Sequence, residues 1–167
     1  MSTQATTGPA PSIDVTGCLI CSLDEAPADA RVFSDPLWAA EVVPGYEVPG
    51  WFFLRARRHA ELISGLDDDE LHTLAPRAQD LTEAVREATG AEAVYFMSFG
   101  ESYRHYHALI TARGADVLPT SRGGFIVGAL ADGKDRDAAL ALVPTVRRAY
   151  ARLAAAREQR TKTAASA

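Results

Sequence analysis

Cysteine is scarce in this chain, and the two that occur, Cys18 and Cys21, stand at C-x-x-C spacing. Two thiols cannot staple a disulfide framework, and a chain of 167 residues is long enough to bury a core as a single domain without one. Long apolar runs are missing as well. None approaches the roughly 20 residues that span a bilayer, and the longest alanine-rich stretch is broken by charges. Positive charge is in deficit, 17 Lys and Arg against 22 Asp and Glu for a formal net charge of −5. That balance speaks against a nucleic acid polymer or an anionic membrane as partner. The first 17 residues contain no Lys or Arg and no apolar stretch, so they lack what a secretory signal requires. Residues 1–16 read as a disordered tail, and a cytoplasmic location is expected. In a reducing compartment a C-x-x-C pair is more often a metal half-site or a redox pair than a structural disulfide. The redox reading ranks second, because Cys18 and Cys21 precede an irregular Pro, Ala and Asp segment over Asp24–Ala30 rather than closing a strand.

What is present reads as one α+β domain over 17–159. Short strands are expected at Arg31–Ser34 and Trp38–Val43, parted by Asp35-Pro36, and a third at Trp51–Ala56 after the Pro49-Gly50 turn. Asp67–Thr89 carries four acidic residues at its start, Gly90 at its end, and an apolar stripe of Leu71, Leu74, Ala78, Leu81, Val85 and Ala88. Acidic groups favour a helix N-terminus, and that spacing lays one apolar face on a sheet with His72 off it. Ala93–Ser98 and His105–Thr111 read as an antiparallel pair. Gly123–Gly128 reads as a short strand or extended loop, and lacks the Lys-Ser/Thr ending of a phosphate loop. Helices are expected at Asp135–Leu142 and Pro144–Gln159, with Pro144 as a first helical residue, and 160–167 as a polar tail.

Three stretches hold both cysteines and three of the four histidines: Cys18-x-x-Cys21, Arg57-Arg58-His59, and Gly100-Glu101-Ser102-Tyr103-Arg104-His105-Tyr106-His107. Together they offer Cys18, Cys21, His59 and His105 to a metal. Thiolate and neutral imidazole in a Cys2His2 set suit tetrahedral zinc. Residues two apart on a strand share a face, so His105 and His107 can serve one site in different roles, with Leu109 on the same side.

From Cys18 to about Arg113 this arrangement resembles the histidine triad superfamily, in its zinc-containing C-x-x-C branch, which includes nucleotide hydrolases and galactose-1-phosphate uridylyltransferase. Val32-Phe33-Ser34-Asp35 through Pro49-Gly50-Trp51 to His59 follows the family's strands, turn and basic-His ending. Gly100-x-Ser102-x-x-His105-x-His107 matches its core motif. The resemblance implies a sheet of about five antiparallel strands with one long packed helix, further C-terminal helices, and a homodimer. It implies one structural zinc on Cys18, Cys21, His59 and His105, with His107 as nucleophile and Ser102 on phosphate. Gly100, Glu101 and Arg113 would complete the substrate contacts.

Three positions depart from that pattern. Leu109 stands where the third triad residue is usually His or Gln, and cannot hydrogen-bond. Glu101 stands where hydrolases often carry Gln, and its charge opposes phosphate. Val43 takes the place of the ribose-holding Asp, with Glu41 and Glu47 nearby but out of register. The expected function is nucleotidyl or phosphoryl hydrolysis or transfer through a phospho-histidine, on a small nucleotide or nucleotide-like ester, anhydride or phosphoramidate. The alternative is a catalytically reduced, zinc-stabilised binding domain for a small ligand or protein partner.

Overall fold

The computed structural model describes residues 17–166, so the expected tail over 1–16 lies outside the described residues. Five strands, β1 (Arg31–Ser34), β2 (Trp38–Glu41), β3 (Trp51–Ala56), β4 (Ala93–Met97) and β5 (His107–Arg113), form one antiparallel sheet in the order β1-β2-β3-β5-β4. With the α-helices α1 (Leu19–Ser22), α2 (Asp68–Thr89) and α3 (Arg136–Ala165), they make the expected α+β fold.

Turn chemistry sets the strands. Asp35 Oδ1 accepts from the backbone N–H of Leu37 and of Trp38, both at 2.9 Å, which folds β1 back on β2. At the head of β3, Gly50 has φ +83°, and a Cβ there would lie 2.7 Å from Ala112 Cβ. Only glycine fits that corner between β3 and β5. β4 and β5 pair from Ala93↔Arg113 to Met97↔Leu109, joined by a long loop over 98–106.

Alternation along the central strands sends side chains to two cores. Phe52, Leu54, Ala56 and Ile110 face Leu74, Leu81 and Val85 of α2 and Val143, Val146 and Tyr150 of α3. Trp51, Phe53 and Leu109 face the opposite way, covered by Ile20, Leu23 and Ile126 from chain segments rather than long helices. Covered on both faces, β3 is buried at every position.

α2 begins on a capping box, Asp67 accepting from Glu70 N–H while Glu70 returns the bond, and ends on Gly90 at φ 66°. Its expected stripe needs one change. Leu71 is 43% exposed, while Glu70 beside it and Ala84 further along the helix are buried. His72 is exposed, as its position off the stripe predicts.

The C-terminal region differs more. α3 runs unbroken from Arg136 to Ala165, with Pro144 inside it and the expected tail from 160 to 165 helical. Proline costs a helix one backbone bond, but packing on both sides holds this one. Val143 and Val146 are fully buried, Tyr150 stacks on Phe33 at 4.1 Å, and Arg147 donates to the carbonyl of Arg31. Gly123–Leu130 is a run of 3-10 turns, not a strand, anchored by the buried Ile126.

Candidate metal centre and adjoining cleft

β3 ends at Ala56, and its last carbonyl accepts a bond from His105 Nε2 at 2.8 Å. That bond places the proton on Nε2 and aims the bare Nδ1 at the cysteines. Cys21 Sγ lies 3.3 Å from His105 Nδ1 and 3.2 Å from His59 Nδ1, and Cys18 Sγ lies 3.6 Å from His105 Nδ1. One ligand atom from each of Cys18, Cys21, His59 and His105 falls within 4.8 Å of every other. Metal–sulfur bonds of about 2.3 Å and metal–nitrogen bonds of about 2.0–2.1 Å in a tetrahedron put S–N edges near 3.6 Å. The four residues can therefore hold one metal ion.

The chemistry of the donors agrees. Burial pulls His105 down to about 4, so its imidazole is neutral, as a ligand must be. Burial, with Cys18 alongside, pushes the Cys21 thiol up to about 11. Two adjacent thiols resist ionising together, and a cation between them reverses that preference. Cys18 also caps α1, its Sγ accepting from Cys21 N–H at 3.5 Å, so the short helix serves to present both sulfurs.

Beyond the C-x-x-C a buried charge network fastens this segment down. Arg55 and Glu41, both 0% exposed, pair at 2.5 Å, and Arg55 reaches Asp24 Oδ1 at 2.8 Å. Asp24 also meets Arg57, and Arg31 donates to the Leu23 carbonyl at 2.8 Å. Glu41→Gln should destabilise the protein by about 3–5 kcal/mol in urea unfolding, because it leaves the Arg55 charge buried beside a weaker partner. Replacing Glu41 and Arg55 together by Leu should cost less than the single change.

His107 opens β5, opposite Arg55 of β3. Its Nδ1–H donates to the His105 carbonyl at 2.7 Å, which leaves Nε2 with a free lone pair. The ring stacks on Phe53 at 5.0 Å and 9°. Burial lowers its proton affinity against the opposing pull of that backbone bond, favouring the neutral form. Around it opens a cleft of about 350 Å³ lined by Tyr46, Phe53, Met97, residues 99–103, His107, Leu109, Gly124 and Val127. Gly100, Glu101, Ser102 and His107 are thus brought together, with Gly100 at φ 70° turning the loop back towards the strand.

Other expected residues lie elsewhere. Arg113 sits six residues along β5, roughly 20 Å from His107 at strand rise, ion-paired to Glu92 and outside the cleft lining. Leu109 borders the cleft but is 6% exposed, packed in the apolar core with Val43. Neither acid near Val43 faces the cleft: Glu41 is committed to Arg55, and Glu47 accepts from Gly45 N–H at 2.8 Å. Sequence reasoning missed Tyr46, Phe53, Met97, Tyr103 and the Arg55–Glu41 pair. The signal for the pair was a charge of each sign inside otherwise apolar strands. For Phe53 it was strand parity with Arg55.

No family model and no curated protein matches the chain. Solved structures do. A hypothetical histidine triad nucleotide-binding protein from Sulfolobus tokodaii matches at TM-score 0.63 and 20% identity, over 81% of this chain and 93% of that one. A zinc-bound histidine triad family protein from Mycobacterium smegmatis matches at TM-score 0.60 and 20% identity, over 84% and 98%. A uridylyltransferase matches at TM-score 0.57 and 21% identity, over 81% of this chain and 45% of that one. The fold is that of the histidine triad proteins. Among the described residues, no helix is long and apolar enough to cross a membrane.

Proposed function

We propose that this protein is a zinc-stabilised nucleotidyl or phosphoryl hydrolase or transferase that works through a phospho-histidine on His107. The observation that carries the reading is the His107 imidazole, fixed by the His105 carbonyl with Nε2 free in a cleft beside Ser102. Nε2 attacks phosphorus, and the bond to the leaving oxygen or nitrogen breaks. The leaving group takes that electron pair and a proton from water. Water, or the hydroxyl of another acceptor, then attacks the same phosphorus and gives up its proton to the hydroxide left by the first step, and the P–N bond breaks to return its electron pair to His107. The Ser102 hydroxyl and loop N–H groups near Gly100 would donate to the charge that builds on the phosphoryl oxygens.

Zinc on Cys18, Cys21, His59 and His105 would be structural, since four protein ligands leave no open position. Similarity to a histidine triad nucleotide-binding protein and a uridylyltransferase supports a nucleotide or nucleotide-like substrate. A cytoplasmic homodimer belongs to the same reading, with β4 as the exposed edge of the sheet and its Phe96 43% exposed. Size-exclusion chromatography with light scattering measures the dimer. The function itself is tested by screening nucleotides and phosphoramidates by mass spectrometry, scoring product and an acid-labile, base-stable adduct on His107. An adduct on any other residue refutes the mechanism.

One observation favours a second reading, a binding domain with reduced catalysis. Leu109, packed into the core, supplies no hydrogen bond where a third polar residue would act. One missing transition-state donor costs about 100–1000-fold in rate. Wild type should therefore hydrolyse generic adenosine phosphoramidates slowly, and Leu109→Gln or Leu109→His should speed that reaction. If both variants keep native metal content and melting yet gain nothing, the binding reading takes precedence.

A further inference from the structure

Four rings around the cleft touch in a closed circuit. Tyr46 meets Phe53 at 5.0 Å, Phe53 meets His107 at 5.0 Å, His107 meets Tyr103 at 6.0 Å, and Tyr103 meets Tyr46 at 6.2 Å. Phe53 is 2% exposed and forms the floor, while Tyr46, Tyr103 and the more exposed Phe99 border the opening with Met97. Among the lining residues Glu101 alone carries a formal charge, and none is Lys or Arg.

The neighbouring arginines do not offset it. Arg55 shares the sheet face of His107 but is 0% exposed, lies outside the cleft lining, and is committed to Glu41 and Asp24. Arg104 has an 80% exposed side chain, pairs with Glu61 at 3.5 Å, and lines an adjoining cleft that shares Ser102 and Tyr103 but also takes in Cys18 and His59. Arg113 is held by Glu92 at the far end of β5. A polyphosphate would thus enter a cleft whose formal charge has its own sign. Aromatic faces with one carboxylate are instead suited to an organic cation, and most of all to an alkylated ammonium, which is attracted to ring faces and asks for no hydrogen-bond acceptors.

We propose that this cleft binds a small phosphodiester bearing an alkylated ammonium group, with the ammonium against Tyr46, Tyr103, Phe99 and Glu101 and the phosphate beside Ser102. The phosphate half rests on the reading of His107 given above. The ammonium half does not.

The test uses the full, metal-loaded chain and two alcohols of equal shape, choline and its uncharged isostere 3,3-dimethylbutan-1-ol, with binding followed by calorimetry or amide NMR shifts. Choline should bind about tenfold or more tightly than the isostere. Glu101→Gln, at an exposed loop position, should shrink that ratio to about twofold or less. Tyr103→Leu, checked for native metal content, should weaken choline more than the isostere. Equal binding of the two alcohols by wild type overturns the proposal, as does a ratio that survives Glu101→Gln. A parallel arm offers p-nitrophenyl phosphocholine and its 3,3-dimethylbutyl analogue as substrates. Choline selectivity without turnover of either ester would leave the ammonium site standing and remove the phosphodiester half of this proposal, while the His107 adduct in the nucleotide screen decides the phospho-histidine reading separately. Turnover without charge preference would do the reverse.

Discussion

Protein stripped of metal by a chelator should melt about 8–16 °C below the metal-loaded protein. An ion present at about 1000 times its dissociation constant adds roughly 4 kcal/mol to a fold that binds it only when native. For a domain of this size each kcal/mol shifts the melting temperature by about 2–4 °C. The loss should be anchored at the N-terminal segment, because Cys18 and Cys21 tie α1 to His59 and His105 across the end of β3 and the start of β5. Cys21→Ser should lower metal content and melting temperature together, and mass spectrometry of the native protein should count one ion per chain. A metal-free preparation that melts like the loaded one would dispose of the metal centre. The charge network at Asp24, Arg55 and Glu41 limits the size of the drop, since it holds the same segment without any ion.

His107→Ala should reduce turnover of a verified substrate by about 10⁴-fold or more, the scale on which removing a covalent nucleophile acts. Metal content should be unchanged, because the donor set does not include His107. His105→Ala should lose both metal and activity, as its ring is one of the four donors and is fully buried. The comparison therefore separates two histidines two residues apart. Wild-type rates in His107→Ala would end the covalent mechanism. Some loss of stability accompanies the substitution, since the ring stacks on Phe53, so the variant is assayed well below its melting temperature.

The parts of the fold that were legible in sequence are those fixed by local chemistry. β1 and β3 could be placed from their strand formers and the Asp35 and Gly50 turns, and α2 from its acidic start and Gly90. The candidate metal quartet was legible because Cys and His are rare here and gather in three short stretches of the chain. What failed was set by tertiary contacts. Pro144 reads as a helix start until Val143, Val146 and Tyr150 are seen packed in the core with the sheet, and Leu71 reads as core although Glu70, paired with Arg58, is the residue buried in that turn. The aromatic circuit was out of reach for another reason. Tyr46, Phe53, Tyr103 and His107 come from a turn, two strands and a loop, and only the β3–β5 register brings them together. Arg113 shows the same limit in reverse, being on the right face of β5 but too far along it.

The bond from His107 Nδ1 to the carbonyl of His105 also bears on how such a site can change over generations. Side-chain partners are lost by a single codon change, whereas every amino acid at position 105 brings the same main-chain oxygen. The orientation of the proposed nucleophile is therefore insulated from drift in the side chains around it, and position 109 is released to follow the demands of packing. Leucine at that position contributes buried apolar area to the core with Trp51, Phe53 and Ile126. A lineage could exchange a polar third residue for hydrophobic stability, and later regain it, without passing through an ancestor whose imidazole pointed the wrong way.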